Sequence, residues 1–199
     1  MSIYVIRHAD KAYGDFHHKA LKFNDQPITA IGAEKARKLV CYFDPIDIGS
    51  IHASGYLRTR QTIAHVCTSK GILPSIDHRL NEIDVGYIED MPDEEVRKGY
   101  PEFWDAYISR DREFRMPGGE SGEEAAARIR SLFDSLDTQK NHILVTHEGL
   151  IRILLCSVLG LPPYRRHLFR IDPCSLTVFV YDTMFDCWTV LHDNMLITQ

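Results

Sequence analysis

Ile3-Tyr4-Val5-Ile6-Arg7-His8-Ala9, at the start of the chain, and Ile143-Leu144-Val145-Thr146-His147-Glu148-Gly149, far downstream, decide how the rest is read. Each is a short run of apolar residues, rich in β-branched types, that stops at a polar cluster, the pattern of a buried strand delivering side chains at its tip. In open α/β sheets ligands sit just beyond the carboxyl ends of the strands. Two strand tips therefore offer an Arg-His pair and a second histidine to one crevice. Neither histidine carries this alone. The chain has ten histidines, and one that follows a strand is commonly a hydrogen-bonded core or surface residue. The case rests on what else arrives at the same place.

Strands and helices alternate outward from these two stretches. Thr29 is placed to cap a helix that carries Ala33, Ala36, Val40 and Phe43 on one side. Ser50-Ile51-His52-Ala53 reads as a second strand, followed by a helix from Arg58 to Ser69, with Gly71 and Pro74 leading into a short strand near Ile76. Ser121-Gly122-Glu123-Glu124 has the form of a capping box, ahead of Ile129, Leu132, Phe133 and Leu136 at helical spacing. The nearly all-apolar helix after His147, running to Leu159, is expected to be buried on most sides. Leu176 to Tyr181 and Cys187 to His192 read as a closing antiparallel hairpin. The alternation argues a sheet sandwiched between helices, in a single domain over residues 1–199. Residues 82–116 fit it badly. That stretch is charged and proline-interrupted, with Tyr100, Phe103, Trp104 and Tyr107, and reads as a helical excursion over the active-site end, either a lid or an inert elaboration.

Composition excludes several classes. Net charge is −5 with no basic tract, which argues against general nucleic-acid binding. Five cysteines form no CxxC pair, and no signal peptide precedes the first strand. The expectation is a cytoplasmic protein with reduced, mostly buried thiols. The longest apolar stretch, Leu150 to Leu159, contains Arg152 and is too short to span a bilayer.

Four segments bring chemistry to strand ends: Arg7-His8-Ala9, the stretch from Ala53 to Thr62 with Arg58, Leu80 to Gly86 with Glu82, and Thr146 to Gly149. Two guanidinium groups grip a dianion through bidentate forks. A helix beginning beyond His147 is expected to add backbone N–H donors and the positive end of its dipole. Such a pocket suits a phosphoryl group. Neighbouring positive charge favours the neutral imidazole of His8, the form that attacks phosphorus to give a phosphohistidine. Glu82 then protonates the leaving alkoxide and later activates water, while His147 completes the clamp on the equatorial oxygens.

The chain resembles the histidine phosphatase superfamily, also called phosphoglycerate mutase-like. The resemblance is carried by Arg7-His8-Ala9, Thr29-x-x-Gly32, Ser54-x-x-x-Arg58-x-x-Gln61-Thr62, Leu80-x-Glu82-x-Asp84-x-Gly86, Pro117-Gly118-Gly119-Glu120-Ser121 and Thr146-His147-x-Gly149, in order over nearly the whole chain. It implies a three-layer α/β/α sandwich with a mixed, mostly parallel six-stranded sheet and no required metal or cofactor. It further implies His8 as the phosphorylated nucleophile, Arg7, Arg58 and His147 as phosphate ligands, and Glu82 as the acid.

Departures bear on the substrate. The mutase branch follows its histidine with Gly-Glu-Ser-x-Trp-Asn or a near relative, whereas Ala9-Asp10-Lys11-Ala12-Tyr13-Gly14 lacks that tryptophan and asparagine. Glu148 would repel a substrate carboxylate if it pointed inward. Both favour hydrolysis of a small phosphorylated metabolite. Asp10, Lys11 and Glu148 are candidate substrate contacts, and Lys11, His17, His18 and Lys19 candidates for a second anionic group or merely a solvated face. A mutase-type phosphotransferase, a phosphoprotein phosphatase and a non-catalytic phospholigand-binding protein remain alternatives. No histidine spacing matches a metal-ligand motif. The sequence leaves oligomeric state open.

Overall fold

The structure, a computed structural model, describes residues 1–14, 16–18 and 23–198. One sheet holds β1 (Ser2–Arg7), β2 (Ser50–Ala53), β3 (Ser75–Ile76), β4 (His142–Thr146), β5 (Leu176–Asp182) and β6 (Cys187–Met195), in the spatial order β3-β2-β4-β1-β5-β6. The β1–β4, β2–β4 and β2–β3 pairs are parallel, and β5 runs antiparallel to both β1 and β6. The main helices are α1 (Ala30–Phe43), α2 (Leu57–Lys70), α3 (Asp93–Gly99), α4 (Pro101–Ser109), α5 (Gly122–Ser135) and α6 (Glu148–Val158).

Side-chain alternation along the strands builds the layers. Ile3, Val5, Leu144 and Phe179 pack with α5 and α6. Ile6, Ile51, Ala53, Ile143 and Val145 pack with α1 and α2 on the opposite face. Covered on both sides, β4 is buried along its whole length, which is why it reads as an unbroken apolar run. The fully buried Phe43, Leu39, Phe179 and Ile129 are each worth about 1.5–3 kcal/mol of transfer free energy. The sandwich is the fold class that the resemblance implied.

Several local expectations hold. Thr29 accepts from Gly32 N at the start of α1, and the capping box of Ser121 and Glu124 is formed in both directions. Ile129, Leu132, Phe133 and Leu136 are all buried. The face of α1 differs from the expected one. Gly32, Ala36, Leu39 and Phe43 form the buried stripe, while Ala33 and Val40 are only half-buried. Gly32 sets that rotation: a Cβ there would lie 2.7 Å from Asp10 O, so the helix approaches the backbone after β1 along its glycine. Within residues 82–116, α3 and α4 are separated at Tyr100. Pro101 disfavours helical geometry in the residue before it, and Tyr100 leaves the helix at φ −135°, ψ 60°. Phe103 stacks on Tyr107 there, and Phe114 meets both rings edge-on.

Cys67, Cys156 and Cys174 are buried, Cys41 and Cys187 are exposed, and all five are free thiols. No helix among the described residues is long and apolar enough to cross a membrane.

Candidate active site

Register brings the two strand tips together. In the parallel β1–β4 ladder Arg7 lies opposite Thr146, and His8 N donates to Thr146 O at 2.9 Å. His8 and His147 therefore emerge side by side, with ring centroids 5.2 Å apart. Ala9 N donates to Thr62 Oγ1 (2.9 Å), which itself donates to Arg58 O (2.7 Å), tying the His8 segment to the start of α2. Gln61 serves similarly, accepting from Ile28 N at 2.9 Å. Both polar residues of the Gln61-Thr62 pair thus hold backbone.

His8 is 6% exposed. A carbonyl only accepts, so Nδ1 donates to Ala9 O at 2.8 Å and Nε2 is left with its lone pair. Burial, opposed by the Ala9 hydrogen bond and reinforced by Arg58, Arg7 and Lys11, pulls the imidazole from its ordinary value down to about 3. A neutral ring with a free Nε2 is the tautomer that a nucleophile requires.

His147 is fully buried. An arginine only donates, so Nδ1 accepts from Arg58 Nη2 at 3.2 Å, and Nε2 donates to Ser54 Oγ at 2.8 Å. Burial first, then the charge of Arg58, holds this imidazole well below its usual range. Arg58, 5% exposed, opens α2 just beyond β2. Its Nε and Nη1 are buried with no hydrogen-bond partner among the described residues, as is Arg7 Nε. Buried charged donors left without acceptors are costly, and they mark where an anion belongs. The Tyr56 ring lies 4.1 Å from the Arg58 guanidinium carbon and 4.6 Å from the His147 ring.

Arg7 reaches the same space with Nη1 donating to Ile171 O and Nη2 2.8 Å from Glu148 Oε2. Glu148 also pairs with Arg152 one turn along α6. Its carboxylate thus holds Arg7 in place. Asp10 is likewise paired, its Oδ2 lying 2.9 Å from Lys35 Nζ on α1. Lys11 makes no salt bridge among the described residues. Burial and then Arg58 lower its pKa. The side chains of His17 and His18, and all of Lys19, lie outside the described residues.

Glu82 approaches the start of α6. Its Oε1 accepts from Ile83 N (2.9 Å) and Leu150 N (3.2 Å), and Oε2 from Gly149 N (3.3 Å). The helix N-terminus was expected to serve the phosphoryl group. These two of its donors instead hold Glu82, because that carboxylate lies against Gly149. A Cβ at Gly149 would fall 2.7 Å from Glu82 Oε1 and 2.9 Å from Ile83 Cδ1. Gly149→Ala is therefore expected to displace the carboxylate and lower kcat on alkyl phosphates by about 10²-fold with the melting temperature retained, checked by steady-state kinetics beside a thermal melt.

A clamp that the sequence reading missed fixes the Glu82 loop. Glu120 Oε1 accepts from Asp84 N (3.0 Å) and Arg128 Nη2 (2.6 Å), while Arg128 donates to Arg79 O (2.6 Å) and Glu82 O (3.2 Å). Gly86, at φ +61°, lies so close to Pro117 O that a Cβ would overlap it. The Pro117–Ser121 motif was legible as a pattern, but its target was not. Ser54, Tyr56, Glu120 and Arg128 are the residues whose work only the geometry shows. Among the described residues no group of three or more His, Cys, Asp or Glu is placed to hold a metal ion.

Comparison with known proteins identifies the family and the fold. The family model for the histidine phosphatase superfamily (branch 1) matches residues 3–194. A protein of Yersinia enterocolitica named "Probable phosphoglycerate mutase GpmB" is 28% identical over 180 residues, covering 89% of this chain and 83% of the relative. Two solved structures share the fold: a mycobacterial glucosyl-3-phosphoglycerate phosphatase in complex with inorganic phosphate (TM-score 0.78, 21% identity, 98% of each chain), and the alpha-ribazole phosphatase of Shigella flexneri (TM-score 0.76, 20% identity, 100% of each chain).

Proposed function

This chain belongs to branch 1 of the histidine phosphatase superfamily, and on that premise we propose that it is a metal-independent phosphomonoesterase that hydrolyses a small phosphorylated metabolite through a phosphohistidine on His8. The carrying observation is the pair of unpartnered, buried donors on Arg58 beside a neutral imidazole with a free Nε2. A dianionic phosphoryl group supplies the acceptors that Arg58 Nε, Arg58 Nη1 and Arg7 Nε lack.

In this reading His8 Nε2 attacks phosphorus as the ester P–O bond breaks, and the departing alkoxide takes a proton from Glu82 Oε2. Water then loses its proton to Glu82 and attacks the phosphorus of phosphohistidine, breaking the P–N bond and releasing inorganic phosphate. Arg7, Arg58 and His147 stabilise the equatorial oxygens. His147 contributes a hydrogen bond there only if a proton joins Nδ1 when Arg58 turns to the phosphoryl group. Lys11, which makes no salt bridge among the described residues, is the candidate for binding a further substrate group. The excursion at 82–116 belongs to the same domain, its first residues carrying Glu82 into the site. Free thiols and a net charge of −5 fit action in a reducing cytoplasm on small molecules, away from nucleic acid.

The second reading is a phosphotransferase that returns the group to another position of the same substrate, favoured by the name of the 28% identical relative. Absence of the tryptophan and asparagine after His8 weighs against it. One experiment separates the two: p-nitrophenyl phosphate and a panel of metabolite phosphates are incubated with the protein in EDTA, following inorganic phosphate and positional isomers. Phosphate release that survives the chelator is expected. Isomer exchange with little release would replace hydrolysis by transfer, and no turnover from folded protein would leave only a phospholigand-binding role.

A further inference from the structure

We propose that Tyr56 is a positioning residue: its ring face holds the Arg58 guanidinium, and its edge contact braces His147, so that the phosphate clamp is aimed without engaging Nε or Nη1 of Arg58. The proposal rests on the reading that Arg58 binds the phosphoryl group.

Arg58 is almost fully buried and has no carboxylate in salt-bridge contact among the described residues. Its one side-chain hydrogen bond among the described residues, from Nη2 to His147 Nδ1, is made to a neutral acceptor. What faces its charge is the π-cloud of Tyr56, 4.1 Å from the guanidinium carbon. A carboxylate in that place would offset the charge but would engage N–H donors and repel a dianion. An aromatic face attracts the cation through its quadrupole and offers no such acceptor. Nε and Nη1 stay vacant, as observed. The same ring meets His147 at 4.6 Å and 67° between planes, limiting how far that imidazole can tilt.

Helix capping does not call for an aromatic residue here. Tyr56 occupies the N-cap of α2 with φ −78° and ψ 142°, and its side chain makes no capping hydrogen bond. Ser, Thr, Asp and Asn are the residues that stabilise such a position. Capping comes from elsewhere: Leu57 N donates to Asp25 Oδ1 at 2.7 Å. The position carries a residue poor at starting a helix and well shaped to support an arginine.

Inhibition by orthovanadate and by inorganic phosphate in Tyr56→Phe, Tyr56→Leu, Arg58→Leu and the double variant tests this. Tyr56→Phe keeps the ring face and is expected to hold both inhibition constants within about threefold of wild type, while Tyr56→Leu raises them by roughly 10- to 30-fold. In the Arg58→Leu background, Tyr56→Leu is expected to add less than about threefold, because the guanidinium is gone and only the contact with His147 remains. Should Tyr56→Leu fold poorly, Tyr56→Met fills the same space without a ring and is read in its place. Wild-type inhibition in the non-aromatic variant, equal losses in the phenylalanine and leucine variants, or additive losses in the double variant would each overturn the proposal. Unchanged vanadate inhibition in Arg58→Leu alone would instead overturn the phosphate-site reading on which it rests.

Discussion

Replacing His8 with alanine is expected to lower kcat/KM for any phosphomonoester by a factor on the order of 10⁴ or more, the scale seen when an enzyme loses the group that attacks. The loss should be chemical and not structural. His8 donates from its ring only to the carbonyl of the next residue, and Thr146 O and Thr62 Oγ1 hold the backbone on either side. The melting temperature should therefore stay near that of wild type. Wild type quenched into alkali during turnover should retain a labelled phosphoryl group, since the P–N bond of phosphohistidine survives base, and His8→Ala should retain none. Activity that persists in the variant would remove His8 as nucleophile. The pH profile supplies an independent check. His8 is held at about 3, and a group so lowered stays deprotonated at every pH above that value. Protonation of the nucleophile should therefore not shape kcat/KM above about pH 4, and any acid limb near pH 6 reports the second ionisation of the phosphate ester itself, whose pKa is about 6.

Glu82→Gln should separate substrates by their leaving groups. Glutamine keeps a carbonyl able to accept from Ile83 N and Leu150 N, the two donors that converge on Oε1. It cannot give a proton. For an alkyl phosphate, whose alkoxide is a strong base, kcat/KM is expected to fall by about 10²–10⁴-fold, the usual worth of a positioned general acid. For p-nitrophenyl phosphate the leaving phenolate is stable, and kcat/KM should fall by less than about tenfold. Because kcat/KM reports steps through formation of the phosphohistidine, this contrast isolates the acid role. A drop in kcat common to both substrates reports the later activation of water. Equal losses in kcat/KM would show that Glu82 holds the helix N-terminus without protonating anything.

Much of the site was readable because short local patterns fix it. Apolar runs ending at Arg7-His8 and Thr146-His147 predicted strand tips, and the capping box at Ser121 predicted the start of α5 to the residue. The charge logic of two arginines around an imidazole anticipated a neutral His8, although burial contributes more to it than either arginine. The partners of Asp10 and Glu148 are not legible in the sequence, since nothing in its spacing shows that Lys35 waits on α1 for one and Arg7 with Arg152 for the other. The donors at the start of α6 were assigned to the phosphoryl group for the same reason. Glu82 comes to Gly149 from 67 residues away.

The sequence by itself determined the alternation of strands and helices, the side chains at the strand tips and the residue types suited to phosphoryl chemistry. These follow from periodicity of two along strands, helical spacing and intrinsic acid–base character, all of which act over a few residues. Tertiary structure alone decided which tips meet, through the parallel register of Arg7 with Thr146. It also decided how the charges pair, leaving Glu148 and Asp10 in salt bridges and Arg58 in none among the described residues, and what lies against that arginine, the ring of Tyr56. Hydrogen bonding and desolvation depend on distance in space, and residues far apart in the chain set those distances only once the sheet has formed.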